Sequence, residues 1–491
     1  MRACGVLMPI FSLPSRYGIG CLSKEAFRFA DQLREAGQSY WQVLPMGPTG
    51  YGDSPYQSYS TYAGSPYYID LEALTHEGLL TEEECAAEDF GDGETISYGK
   101  LFDGRDRLLK KAFERSRISE NPDFFWFEEA NDWLNDYAMF MALRRVFQGL
   151  RWDKWPEDIR LRKPEALDFY ARELKEEILF EKFKQYTFYR QWRYLKEHTE
   201  KIGLKLIGDL PIYVAFDSAD CWAAPTLFQF DEKLQPLAVA GCPPDGFSPD
   251  GQLWGNPLYD WPYHEKNNFS WWVKRMRHSF SLFDVVRIDH FRGFDAYYSV
   301  PFGEKTAVNG HWEKGPGIGL FRTLESALGK LPVIAEDLGF LTDSVKQLLE
   351  DTGFPGMKVL QFAFQADEDS DYLPHHYIEN CVVYTGTHDN QTTAGWLDTL
   401  READKEFAAS YINHGRGADS LTVEDVICTA LGSCAKLAVI PMQDYLLLGD
   451  EARINIPGTL GNNWCWRMKP DALKEEQIKK MRARARLYSR L

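Results

Sequence analysis

Short apolar runs rich in β-branched residues alternate with amphipathic segments along most of the chain. Each run is short enough for one buried strand, and the segments between them have the periodicity of helices that pack on a sheet. The candidate strands are residues 5–10, 40–46, 205–214, 284–291, 332–336, 357–364, 381–387 and 437–442. Strands that alternate with helices in this way predict an α/β fold, a (β/α)8 TIM barrel.

The spacing of the strands is uneven, and two intervals are longer than a barrel connection needs. Residues 76–185 combine Glu, Lys, Arg, Leu and Trp with helical periodicity, which predicts an inserted helical subdomain. Residues 215–280 carry glycine, proline and aromatic turn signals, which predict a loop-rich insertion over the C-terminal face, covering the active site. The chain stops soon after the last strand, so we expect a single catalytic barrel over 1–491 and no separate C-terminal β domain.

Three acidic residues follow apolar strands at the end that faces the active site of a barrel. Asp289 ends VVRID, Glu336 ends VIAE, and Asp389 follows YTGTH. Carboxylates at the C-terminal ends of parallel barrel strands converge on one pocket. A retaining glycosidase-type reaction needs a carboxylate nucleophile and a second carboxyl that first donates and then removes a proton. The sequence therefore predicts glycosidic-bond chemistry.

The neighbours of two of these residues indicate separate roles. Arg287 lies two residues before Asp289 and projects to the same side of the strand, where its charge favours an ionised nucleophile. Glu336 ends an apolar run, a surrounding that suits a general acid. The parity of this strand leaves open whether Glu336 or its neighbour Asp337 faces the pocket.

Other polar residues at strand ends allow more than one interpretation. A neutral His388 and the Asp389 carboxylate can bind two adjacent sugar hydroxyls and brace a distorted ring. Asp209, in LIGDLP, either joins the site or caps the turn before Pro211. We expect His290 to be a hydrogen-bonded barrel residue rather than a proton carrier.

Aromatic residues make up 14% of the chain, and many stand in segments punctuated by glycine and proline, such as 50–68 and 254–272. Aromatic rings in loops stack on the flat faces of sugar rings, while polar neighbours bind the hydroxyls. The composition therefore indicates a saccharide ligand.

The net charge of −18 argues against nucleic acid or an anionic membrane as a partner. The N-terminal segment is a poor signal peptide, and no apolar run is long enough to span a membrane, so we expect a cytoplasmic protein. Neither a GxGxxG nor a P-loop pattern is present, so no phosphate-binding cofactor is expected. We expect no metal either, because no clustered Asp/Asn loop has calcium-binding spacing.

Several long segments occur together and in one order. They are YWQVLPMGPTGYGDSPYQS, IGDLPIYVAFDSADCW, AGCPPDGFSPDGQLWGNPLYDW, RIDHFRGF, AEDLG, GTHDN and PGTLGNNWCWR. Through these segments the chain resembles, almost end to end, the 4-α-glucanotransferases of the α-amylase superfamily, also known as amylomaltases or disproportionating enzymes. The resemblance implies Asp289 as nucleophile, Glu336 as acid/base and Asp389 as transition-state stabiliser. It also implies transfer of a 1,4-α-D-glucan segment to the 4-hydroxyl of an acceptor glucose or maltooligosaccharide.

The resemblance further implies which residues bind the two substrates. The donor side would be lined by Ser54, Tyr56, Asp209, Arg287 and His388. The loop at 241–256 would cover the acceptor side with Gln252 and Trp254. Tyr51 would stack glucan away from the catalytic centre.

One position departs from the family. Gly246 stands where some relatives carry a bulky aromatic, so acceptor binding is expected to depend on Phe247, and the balance of linear and cyclic products is left open. A loop that stacks the acceptor and excludes water would favour transfer over hydrolysis. Two alternatives remain: an α-glucan hydrolase of the same superfamily, and a glucan-binding protein without catalysis, for which a complete set of carboxylates would be superfluous.

Overall fold

The computed structural model describes residues 2–50, 52–91, 93–244, 248–339, 341–413, 415 and 417–491. Its strands are β1 Ala3–Leu7, β2 Tyr40–Gln42, β3 Lys205–Pro211, β4 Ala238–Cys242, β5 Gln252–Pro257, β6 Val285–Asp289, β7 Ala296–Pro301, β8 His311–Lys314, β9 Val333–Ala335, β10 Gly356–Val359, β11 Cys381–Tyr384 and β12 Leu437–Pro441. Eight of them form one parallel sheet in the order β10-β11-β12-β1-β2-β3-β6-β9. The predicted parallel barrel is confirmed.

Three of the barrel strands are apolar on both faces. Every residue of β9, β11 and β12 is buried, and these strands read VIA, CVVY and LAVIP. A parallel strand covered by helices outside and filled by side chains inside has no solvent face, so its sequence is a continuous apolar run rather than an alternation. This is why the eight strands could be found in the sequence.

The barrel closes between β9 and β10 through a side chain as well as the backbone. The amide N–H of Ala335 donates to the carbonyl of Pro355 at 3.0 Å. The next bond runs from the Met357 amide to the Asp337 carboxylate at 2.6 Å. A Cβ at Gly356 would lie 2.5 Å from that carboxylate, so only glycine leaves room for this seam.

Helices surround the barrel. They are α1 Lys24–Glu35, α2 Leu71–His76, α3 Glu82–Ala86, α4 Tyr98–Ser116, α5 Pro122–Ala130, α6 Leu134–Val146, α7 Glu157–Arg160, α8 Pro164–Glu173, α9 Lys175–Ile202, α10 Ala219–Ala223, α11 Trp261–Lys266, α12 Ser270–Leu282, α13 Ile318–Leu328, α14 Asp343–Thr352, α15 Thr393–Thr399, α16 Glu402–Ile412, α17 Val423–Gly432, α18 Met442–Tyr445 and α19 Glu475–Leu487. Helices α2 to α9 all lie between β2 and β3. In the fully described stretch 360–380, between β10 and β11, the chain forms two 3₁₀ turns and no α-helix.

A second sheet, which the sequence analysis did not predict, lies beside the barrel. It is antiparallel, with the order β5-β4-β7-β8. The first two of its strands read AVAGC and QLWGNP, where glycine and proline interrupt any alternation of apolar and polar residues. The segment expected to be loop-rich therefore contributes two strands and three helices.

Within the described part of the chain, no helix has both the length and the apolar character that crossing a membrane would require.

Candidate active site

The strand register brings the predicted acidic residues to one end of the barrel. Asp289 is the last residue of β6, Glu336 directly follows β9, and Asp209 lies on β3. In the pairing of β3 with β6, Asp209 stands beside Arg287, and β9 pairs with β6 on its other side. Three neighbouring strands thus deliver three carboxylates to one face.

Arg287 joins two of these carboxylates. Its Nη1 lies 2.7 Å from Asp209 Oδ1, and its Nη2 lies 3.0 Å from Asp289 Oδ1. The side chains of Arg287 and Asp209 are 4% and 0% exposed, whereas that of Asp289 is 29% exposed. The guanidinium is therefore fixed from below by Asp209 and holds Asp289 where the pocket opens to solvent.

The ionisation of Asp289 is set by opposing effects. The net result is a pKa of about 7 for this carboxyl. Burial is the largest cause of the rise, the Arg287 guanidinium opposes it, and the charges of Glu336 and Asp209 add to it. The lowering by Arg287 that the sequence analysis expected is present, but burial outweighs it. Asp289 therefore tends to retain a proton near neutral pH.

The turn after β6 holds Glu336 in place. One carboxylate oxygen of Glu336 accepts from the His290 amide at 2.7 Å, and the other accepts from the Leu338 amide at 2.8 Å. His290 has a left-handed backbone, with φ of 54°. Because His290 follows Asp289 directly, the same short turn holds Glu336 where its charge acts on the Asp289 carboxyl.

Asp389 is paired and ionised. Its Oδ2 lies 3.3 Å from His388 Nε2, and its Oδ1 accepts from the Asn455 side-chain amide at 2.7 Å. Burial would raise the pKa of Asp389, but His388, Asn455 and Arg287 together lower it to about 2. Burial likewise opposes protonation of His388, yet Asp389 raises the pKa of the imidazole above its ordinary value. The sequence predicted a neutral imidazole, whereas the Asp389 charge shifts His388 towards the protonated form.

An aromatic wall lines the donor side. The ring of Tyr56 stacks on His388, with centroids 5.2 Å apart and planes at 17°. The Tyr56 hydroxyl donates to Asp209 at 2.7 Å, and the Tyr56 amide donates to the Ser54 hydroxyl at 3.3 Å. Trp464 lies 5.9 Å from Tyr56, which extends the wall. The donor-side residues named by resemblance therefore form one connected group with the carboxylates.

The acceptor-side residues stand on β5. Trp254 contacts His290 edge to face, with centroids 4.7 Å apart, and its Nε1 donates to the Gln252 side chain at 3.1 Å. His290 Nε2 is buried and has no hydrogen-bond partner among the described residues, so this nitrogen does not fit the expected hydrogen-bonded barrel residue. Burial lowers the pKa of His290 to about 3, so the ring is neutral. Tyr51 and Phe247, and with them Gly246, lie outside the described residues.

Known proteins resemble the whole chain. The family model described as 4-α-glucanotransferase matches residues 8–474. A protein of Clostridium butyricum named 4-alpha-glucanotransferase is 48% identical over 492 residues, which cover 98% of this chain and 100% of the relative. The chain belongs to the 4-α-glucanotransferase family. A Thermus thermophilus 4-alpha-glucanotransferase is 46% identical, covering 100% of this chain and 99% of its own. The solved structure of amylomaltase from Streptococcus agalactiae in complex with acarbose superposes with a TM-score of 0.96 at 40% identity, covering 100% of both chains. The enzyme has 4-α-glucanotransferase activity.

Sequence reasoning missed two groups that hold Asp389. Asn455 binds its carboxylate, and the guanidinium of Arg453 donates to its backbone carbonyl at 2.8 Å. Both stand in a polar segment, EARINIPG, that has no strand or motif signal of its own. Trp464, in contrast, lies in one of the segments quoted for the resemblance, so its place at the site could have been inferred there.

Proposed function

We propose that the enzyme cleaves 1,4-α-glucans, including maltooligosaccharides, by a retaining double displacement and transfers the released segment to the 4-hydroxyl of an acceptor glucose or maltooligosaccharide. Asp289 would be the nucleophile, Glu336 the acid/base and Asp389 the transition-state stabiliser. The observation that carries this proposal is the turn from Asp289 to His290, which sets a carboxylate held by Arg287 directly beside a carboxyl held by two backbone amides. A retaining mechanism requires two carboxyl groups close to each other, and the charge of Glu336 acts on Asp289 across this turn.

In the first step Asp289 attacks the anomeric carbon while Glu336 gives its proton to the leaving oxygen. The ester that forms removes the negative charge from Asp289. Arg287 keeps a partner throughout, because its second contact is with Asp209. The guanidinium therefore stays in position when the charge of the nucleophile disappears and when it returns.

The positive charge that develops on the sugar ring needs an anion that is already in place. Asp389, ionised and held by Asn455 and His388, supplies it without reorganising. The stacked Tyr56 and His388 would support the ring in the distorted form that the transition state requires.

In the second step Glu336 acts as a base and takes the proton of the acceptor hydroxyl. Trp254 offers a face for the acceptor ring, and Gln252 fixes the indole through its Nε1. The neutral and unpaired Nε2 of His290, beside that indole, suits a hydrogen bond to a sugar hydroxyl. An acceptor held in this way reaches the intermediate before water does.

The acarbose complex of the S. agalactiae amylomaltase supports a saccharide ligand for this chain. The net charge of −18 also favours an uncharged glucan over nucleic acid as ligand. The alternative is a hydrolase with the same carboxylates, and detection of transfer products would exclude it. Cytoplasmic location and the division into a barrel with insertions at 76–185 and 215–280 stay predictions.

Incubation of the purified enzyme with maltotriose, with products resolved by length over time, tests the proposal. Transfer yields glucose together with maltopentaose and longer chains. Glucose and maltose alone would mean that water takes the intermediate, and the assignment of acceptor residues would then be wrong. No turnover of maltotriose would count against 1,4-α-glucans as substrates.

A further inference from the structure

The connection between β10 and β11 is held by side chains rather than by a helix. Residues 360–380 are all described, and they contain only the 3₁₀ turns Leu360–Phe362 and Pro374–His376. The stretch between these turns reads AFQADEDSDYL and is strongly acidic. A loop of this length without a helix needs some other constraint to stay in one conformation.

Three side chains of this loop converge outside the active site. One potential ligand atom each from Asp369, His375 and His376 lies within 4.8 Å of the other two, and all three residues are exposed. The two imidazole centroids are 4.1 Å apart. His376 Nε2 faces an oxygen of Asp369 at 3.7 Å.

The second nitrogen of each imidazole is already in use. His376 Nδ1 lies 3.1 Å from the carbonyl of Ser370, which can only accept, so this nitrogen carries the proton. His375 Nδ1 lies 2.9 Å from the Tyr411 hydroxyl on α16. With its Nδ1 proton on Ser370, His376 keeps an Nε2 lone pair that faces the Asp369 carboxylate, and the His375 ring lies beside it. A cation held among these side chains would satisfy the imidazole lone pair and the carboxylate together.

We propose that Asp369, His375 and His376 bind a divalent transition metal of the Zn²⁺ class. Metals of this class bind sets of two imidazole nitrogens and one carboxylate oxygen, whereas Mg²⁺ and Ca²⁺ favour all-oxygen sites. Hydrogen bonds to Ser370 and Tyr411 would orient the rings, as outer-shell partners do in known metal centres. Water would complete the coordination, since the site is open to solvent.

The bound metal would fasten the middle of the connection to its second 3₁₀ turn. Asp369 stands in the acidic stretch and the histidines in the second 3₁₀ turn, while Tyr411 ties the site to α16. The metal therefore takes the place of the missing helix as the constraint on this segment. Its role is structural, because its ligands are separate from the groups that hold the substrate.

Metal-free protein, prepared with a chelator, should be titrated with ZnCl₂ by calorimetry and with CoCl₂ by visible absorption. We expect one site per chain, with a cobalt spectrum that shows nitrogen and oxygen ligands and no thiolate band. His376→Ala and Asp369→Asn should each weaken zinc binding by more than about 100-fold, since loss of an outer-shell partner alone costs about 10–100-fold. Tyr411→Phe should fall within that smaller range.

Two control variants make the result specific. His311→Ala changes another exposed histidine beside a carboxylate and should leave binding unchanged. Cys434→Ser removes the exposed thiol that donates to the Tyr377 carbonyl near the loop, and it should also leave binding unchanged. Zinc should raise the Tm of the wild-type enzyme and of both controls but not that of His376→Ala. Absence of stoichiometric binding, or binding lost in Cys434→Ser and retained in His376→Ala, would overturn the proposal.

Discussion

The barrel and the antiparallel sheet beside it hold their polar side chains differently. On β3 and β6, Asp209 and Arg287 are almost fully buried; Arg287 pairs with two carboxylates, and Asp209 also accepts from the Tyr56 hydroxyl. On β5, Gln252 is exposed, Trp254 is only half-buried, and the two are tied mainly to each other and to His290. A rigid, buried network suits groups that must meet a transition state, and an open strand suits an acceptor that must enter and leave. Bond cleavage should therefore depend on the barrel, and the choice between acceptor and water should depend on the sheet.

The strongest test of the barrel's part is Asp289→Asn. Loss of the nucleophile should lower transfer by at least about 10⁴-fold, as for other enzymes that lose the group forming a covalent intermediate. The Tm should change little. Asp284→Asn is the matched control: Asp284 directly precedes β6 at the end away from the pocket, where it accepts from the Leu206 amide and pairs with Lys196. Retention of more than about a tenth of transfer in Asp289→Asn would remove the nucleophile assignment.

The roles of the two central carboxyls can be separated with Glu336→Gln. This variant should lose about 10²–10⁴-fold in transfer from maltooligosaccharides, because the leaving oxygen is no longer protonated. With α-glucosyl fluoride as donor, whose leaving group needs little protonation, much of the loss in the first step should be recovered. Asp289→Asn should show no such recovery. Equal losses on both donors in Glu336→Gln would contradict its role as the acid.

Acidification should lower the rate of bond cleavage in the barrel without changing how the sheet selects the acceptor. Asp289 must be ionised to attack, and burial raises its pKa to about 7, so kcat/KM should rise with pH through this range and fall about tenfold per unit below it. The ratio of transfer to hydrolysis should stay constant over the same range. An acidic limb at the ordinary aspartate value of about 4 would show that Arg287 outweighs burial.

Asn455→Ala tests whether Asp389 needs to be held. Loss of a hydrogen bond to a charged group costs about 1.5–3 kcal/mol when buried, and the side chain of Asp389 is 45% exposed, so we expect the lower end, about tenfold in kcat. KM should change less than kcat, because the bond supports the transition state. Asn463→Ala, which removes an amide from the exposed turn beside Thr459, provides a control. A change in KM alone would point to substrate binding instead.

The smallest effect is expected on the sheet. Trp254→Ala should raise hydrolysis relative to transfer about 2–10-fold, the range that corresponds to one aromatic stacking contact. Leu253→Ala is the control, since Leu253 directly precedes Trp254 on β5 and projects to the opposite face. An unchanged ratio of released glucose to transferred glucan in Trp254→Ala would show that the sheet does not govern the choice between acceptor and water.

The barrel and its carboxylates could be predicted because their signals are local. Runs such as VVRID, VIAE and CVVY are apolar, β-branched and end at polar residues, so each strand and its acidic end can be identified within one short segment. Parallel topology then converts the ends of separate strands into one site.

The antiparallel sheet and the support of Asp389 could not be predicted for the opposite reason. β4 and β5 contain glycine and proline and become strands only through pairing with each other and with β7. Asn455 reaches Asp389 across 66 positions, and nothing in its own segment marks it as part of a site. The balance at Asp289 was missed because burial is a property of the folded pocket, whereas Arg287 is visible two residues away.

At the seam between β9 and β10, closure of the barrel depends partly on one side chain. The Asp337 carboxylate, which binds the Met357 amide, belongs to the residue after Glu336. A side chain can rotate away from its partner, whereas a strand carbonyl moves only with its strand. The barrel should therefore open locally at this seam before it unfolds elsewhere. Each opening would displace the neighbouring acid/base, so the enzyme should lose activity on warming before its global structure is lost, at a rate that hydrogen exchange of the Met357 amide would report.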